Sequence, residues 1–153
     1  MNMTATEARA NSHVCVIYIN ASREAVWDGL TNPEFTRQYF HQTRFESDWQ
    51  PGSAMNCYLP DGSYAVRGEV LEAEHPARLS FTWHVHYNPE AKQEAPSRVT
   101  YLLESVEGAT KLTVIHDEFP EGSVVLPSIS EGWIAILCNL KTLLETGQAM
   151  AVS

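Results

Sequence analysis

Nowhere in the 153 residues is there an uninterrupted apolar run long enough to span a bilayer, which excludes a transmembrane helix. The opening stretch MNMTATEARANS is small and polar and lacks the apolar segment of a secretory signal; it reads as a frayed tail over residues 1–12. Cations are scarce, with ten Lys and Arg against nineteen Asp and Glu and a formal charge of -9. Such a surface repels nucleic acid phosphates and anionic membranes unless a basic patch intervenes, and Arg37, Arg44, Arg67 and Arg78 are scattered. The three cysteines, Cys15, Cys57 and Cys138, are odd in number, far apart and set among apolar neighbours. That suits reduced buried thiols better than a disulfide framework, and makes the cytoplasm the expected location. There is no G-x-S-x-G, P-loop, H-E-x-x-H or C-x-x-C, so nucleophilic hydrolysis, nucleotide hydrolysis and structural zinc have no local signature. Neither internal repeats nor low-complexity segments occur.

What is there is a 44% hydrophobic chain, enough for the core of one domain, expected over residues 13–149. HVCVIYIN at 13–20 is β-branched and aromatic and reads as a strand. Ser22 is an N-cap for a short helix over 23–30, and Asn32-Pro33 starts a second, PEFTRQYF. Six further strands follow, separated by Pro51-Gly52, Pro60-Asp61-Gly62, His75-Pro76, a polar loop from Asn88 through Pro96, and the hairpin signal Glu107-Gly108. Connections this short favour antiparallel pairing. The period then changes: Ile129, Trp133, Ile136 or Leu137, Leu140 and Leu144 form one stripe of a helix over 128–146, with Glu131, Asn139, Lys141 and Glu145 on its other faces. Strand, two short helices, six strands and a long helix make an α+β fold in which a curved antiparallel sheet of about seven strands wraps around the C-terminal helix.

Four segments carry a resemblance: INASREAVWDGLTNPEFTRQYF, GEVLEAEHPARLSFTW, TKLTVIHDEFP and EGWIAILCNLKTLLETG. In this order the chain resembles the START-like or Bet v 1-like (SRPBCC) superfamily with its helix-grip fold. Within it, the chain is similar to bacterial single-domain proteins related to the C-terminal domain of the activator of Hsp90 ATPase. The resemblance implies a cavity between the long helix and the sheet that holds a small apolar or weakly polar molecule. It leaves open an Hsp90-activator-like co-chaperone role and a cyclase- or hydratase-type enzyme. Fold does not decide among these. The eukaryotic activator contacts the chaperone through an additional N-terminal domain, for which only about a dozen polar residues are present before the first strand, so the sequence lends a chaperone partner no support.

The expected cavity lining is Phe40 from the second short helix; Tyr64 and Val66; Phe81 and Trp83; Tyr101 and Leu103; and Trp133, Leu137 and Leu140 from the long helix. The same residues would equally fill a solid core. His116 alternates with Leu112 and Val114 and, given the core placement the resemblance implies for those two, is expected to face the cavity near its mouth. There it is a ligand anchor or general base, with Glu118 as a possible partner. The alternative is a core-edge histidine satisfied by a backbone carbonyl. His84 and His86 form an H-x-H, yet alternation puts them opposite Phe81, Trp83, Val85 and Tyr87, on the solvated face. No third ligand is evident, so neither metal nor cofactor is expected. The remaining partner expectations are no nucleic acid, no membrane, and an open question of homodimerisation.

Overall fold

A computed structural model describes residues 11–151. The elements run β1 (His13–Ile19), α1 (Arg23–Thr31), α2 (Pro33–Tyr39), β2 (Arg44–Ser47), β3 (Ala54–Tyr58), β4 (Tyr64–Glu74), β5 (Arg78–Val85), α3 (Pro89–Lys92), β6 (Ser97–Val106), β7 (Ala109–Asp117) and α4 (Val125–Thr146). The seven strands form one antiparallel sheet in the order β1-β7-β6-β5-β4-β3-β2, with α4 packed on the side that carries the core. This is the expected α+β helix-grip architecture. The tail expected over residues 1–12 lies almost wholly outside the described residues.

Local chemistry fixes the joints. Ser22 Oγ accepts from the Ala25 N–H and Asn32 Oδ1 from the Glu34 N–H, so both short helices start where side-chain caps replace missing partners. Glu107 and Gly108 take φ of 50° and 87°, the left-handed pair that a two-residue hairpin turn requires between β6 and β7. The free edge of β1 is partly tied to α4: Lys141 Nζ donates to the Tyr18 carbonyl, and the Asn20 N–H donates to Glu145 Oε2.

Four local expectations are corrected. The polar loop at 88–96 contains α3, because Asn88 Oδ1 accepts from the Glu90 and Ala91 N–H groups and Pro89 occupies the first turn, repeating the Asn32-Pro33 device. The long helix starts at Val125, three residues early. Ser123 Oγ accepts from the Val125 and Leu126 N–H groups, and the Glu94 carboxylate accepts from Ser123 Oγ–H and the Val124 N–H. Pro127 is tolerated in that first turn, where N–H groups lack intrahelical partners anyway. Asn139, assigned to the outer faces, is buried, its Oδ1 accepting from the Met150 N–H. The cysteines are all free, but only Cys57 is buried; Cys15 is half-buried and Cys138 exposed.

Candidate functional site

From Trp133 onward, α4 lies against a tight floor. Trp133, Leu137, Leu140 and Leu143 are buried among Tyr101, Leu103, Phe81, Val99 and Leu112, all at or near zero exposure. A Cβ on Gly29 of α1 would sit only 3.0 Å from Leu140 Cδ1, so even the smallest side chain there would press on the helix.

His116 stands at the centre of this packed region, with 0% exposure. Trp133 Nε1–H can only donate, and it donates to His116 Nδ1 at 3.0 Å. The proton of the neutral imidazole therefore resides on Nε2, which lies 2.8 Å from Ser97 Oγ and donates to it. Ser97 Oγ–H in turn donates to the Trp83 carbonyl, 3.3 Å away. One unbroken chain thus joins α4, β7, β6 and β5. Burial, reinforced by nearby His13, holds the imidazole pKa down at about 3, so the ring is neutral at physiological pH. Both nitrogens are engaged and the ring does not line the cavity described next. The expected mouth position is corrected: the residue is a buried bridge between sheet and helix. Nor is Glu118 its partner. That residue takes φ 64° and turns outward to Arg98 Nε at 2.9 Å, while Phe119 packs its ring 4.5 Å from the imidazole.

The N-terminal half of α4 behaves differently. Between it and β3–β5 is a cavity of about 340 Å³, lined by Phe40, His41, Thr43, Cys57, Leu59, Ala65, Val66, Trp83, Tyr87, Ser128, Ile129, Gly132, Trp133 and Ile136. This volume lies at the lower end of the ~300–1,000 Å³ typical of small-molecule pockets. None of the lining side chains is Asp, Glu, Lys or Arg. Cys57 is held neutral, since burial pushes its thiol up to about 12. Phe40, Trp83 and Trp133 form an aromatic cluster, with Phe40 edge-on to Trp133 at 5.6 Å and Trp83 6.0 Å from Trp133. The Trp83 indole N–H is buried without a hydrogen-bond partner. His41 and Gln42, at φ 52° and 59°, swing the chain from α2 into β2 beside the cavity.

Of the lining expected from the sequence, Phe40, Val66, Trp83 and Trp133 border this cavity. Phe81, Tyr101, Leu103, Leu137 and Leu140 are in the packed region and do not. Tyr64 lies on the outer face, stacked on Tyr58 at 5.3 Å with the Arg67 guanidinium 4.3 Å from its ring. The reason is a bulge: Cys57 pairs with Val66 and Tyr58 with Tyr64, so two residues of β4 oppose one step of β3 and the alternation flips. Ala65 and Val66 are consequently both buried. Leu59 and the Ser128–Gly132 turn of α4 were missed, whereas Tyr87 borders the cavity on the face that alternation gave it together with Phe81, Trp83 and Val85. A glycine interrupting the apolar stripe of a helix was the available signal.

His84 and His86 are half-buried on the outer face, where Lys92 O accepts from His84 Nε2–H at 2.7 Å and His84 Nδ1 accepts from His86 Nε2–H at 3.1 Å. The pair fastens α3 to β5. Among the described residues no cluster of three or more metal-ligating side chains occurs, and no helix is long and apolar enough to cross a membrane.

A search among curated protein sequences found no match. Among solved structures, the Aha1 dimer from Colwellia psychrerythraea is 20% identical, with a TM-score of 0.73 over 90% of this chain and 98% of that one. An HSP90 activator from Plasmodium falciparum is 22% identical, with a TM-score of 0.72 over 88% and 96%. CalU16 from Micromonospora echinospora is 21% identical, with a TM-score of 0.69 over 89% and 77%. At these identities the likeness establishes the fold. The sequence profile of one family matches residues 20–145, most of the chain, and the protein accordingly belongs to the activator of Hsp90 ATPase homolog 1-like family.

Proposed function

We propose that this protein binds an uncharged, largely apolar small molecule in the cavity between the first turns of α4 and strands β3–β5. The observation that carries the reading is a 340 Å³ space whose lining holds no Asp, Glu, Lys or Arg, set directly beside a fully packed core. An ionic ligand would lose its hydration there without gaining a counter-charge, whereas an apolar one loses only unfavourable contact with water. His116 has no part in this reading, because both its nitrogens are already bonded. The test is thermal unfolding and fluorescence titration with the neutral dye N-phenyl-1-naphthylamine. A ligand at one hundred times its Kd raises stability by about 2.7 kcal/mol, so the expected result is enhanced dye emission and a clear rise in Tm. No rise in Tm and no emission change across a panel of neutral apolar probes would sink the reading.

A protein partner of the Hsp90 type is a second reading, supported by family membership and by Val14, Val16 and Tyr18, which stand 53%, 48% and 52% exposed along the outer face of edge strand β1. Stimulation of Hsp90 ATPase by the purified protein, lost on Val16→Glu, is the expected result; no stimulation by the wild type rejects it.

A further inference from the structure

Gly132 has no structural reason to be glycine. Five of the eight glycines, Gly52, Gly62, Gly108, Gly122 and Gly147, take positive φ, where a side chain is strained. Gly29 and Gly68 have backbone or side-chain atoms pressed against the place a Cβ would occupy, Leu140 in one case and the Thr82 carbonyl in the other. Gly132 shares neither condition. It lies eight residues into α4, has no left-handed backbone, and a Cβ there would meet nothing within 4 Å. Within a helix, glycine is the poorest former after proline, so its presence weakens α4. It also borders the cavity, alongside Ile129, Trp133 and Ile136.

Building on the binding reading above, we infer that Gly132 determines ligand specificity: its missing side chain opens a slot in the roof helix that admits a ring of the ligand, and the ligand class is neutral molecules carrying an aromatic ring. The ring is favoured over a plain alkyl chain because Phe40, Trp83 and Trp133 border the same space and already contact one another edge-on or tilted. A further ring entering this cluster gains aromatic pairing beyond the area it buries. Neutrality follows from the lining, which contains no Asp, Glu, Lys or Arg.

This assignment makes two effects of one substitution run in opposite directions. Replacing Gly132 by Ala or Leu improves helix propensity and fills open space, so Tm of the full chain rises by about 2–4 °C. The same change blocks the slot. Binding of N-phenyl-1-naphthylamine weakens a few-fold in Gly132→Ala and about tenfold or more in Gly132→Leu. Ala135→Leu, on the exposed side of the same helix, serves as the control and keeps wild-type dye affinity. 1-Decanol, neutral but without a ring, competes with the dye only weakly.

Equal dye affinity in the wild type and Gly132→Leu overturns the inference while leaving the binding reading intact. So does decanol binding as tight as that of the dye, which removes the aromatic preference. A wild type that binds neither dye nor decanol overturns both readings, and a fall in Tm for Gly132→Ala contradicts the open space beside the glycine.

Discussion

The two halves of α4 are one continuous helix doing opposite things. From Trp133 to Leu143 its inner residues are buried against β5–β7 and tied to the sheet through Trp133, His116 and Ser97. From Ser128 to Gly132 the inner residues face empty volume, which Trp133 and Ile136 also border, and that end is held from outside by Glu94 on Ser123 and Val124. The difference teaches that an apolar helical stripe specifies burial in general, while the side chains opposite decide whether burial is against atoms or against a space. At the packed end they interlock with the helix; at the open end Cys57, Leu59, Ala65, Val66 and Trp83 stand across a cavity from it.

The sharpest way to break this comparison is to remove one leucine from the packed half. Leu140→Ala leaves a void that surrounding atoms cannot close and is expected to cost about 3–5 kcal/mol in urea unfolding. His116→Ala comes next, at about 3 kcal/mol, because it strands the Trp133 N–H in the core and takes the donor from Ser97 Oγ as well as removing volume. A loss under 1 kcal/mol would show that the hydrogen-bonded bridge contributes little.

Acid probes the same bridge. The folded-state pKa of His116, about 3, lies below its ordinary value of 6.5, so the unfolded chain binds the proton more readily. The stability contributed by the neutral ring is complete above pH 6.5 and is lost as pH falls from there toward 3. The slope approaches about 1.4 kcal/mol per pH unit from this group. His116→Ala should flatten that part of the stability profile measured between pH 7 and 4; an unchanged slope would assign it to other groups. The smallest effect belongs to the open half. Ile129→Ala, at a half-buried side chain that already borders a cavity, should cost under about 1 kcal/mol in the same unfolding assay, because little packing is lost. A cost equal to that of Leu140→Ala would erase the distinction between the halves.

Much of the fold was legible because its signals are local. Period-two runs gave the strands, Ser22 and Asn32 gave helix starts, and the stripe from Ile129 to Leu144 gave α4. The misplacements have two causes. Tyr64 was put on the wrong face because a bulge adds a residue to one strand only, and nothing in the SYAVRG run announces it. His116 was expected at the mouth because alternation reports a face of the sheet but not a position along the helix that covers it.

The sequence by itself determined the types and order of the elements apart from α3, the antiparallel pairing implied by short connections, and the apolar face of each element away from the β4 bulge. These follow from backbone periodicity, turn chemistry and capping, which act within a few residues. Only the tertiary structure decided that Trp133 meets His116, that Tyr64 turns outward, and that Gly132 faces open volume while Leu140 faces none. Those outcomes depend on residues that can be more than a hundred positions apart in sequence competing for the same space, and volume is shared only once the chain has folded.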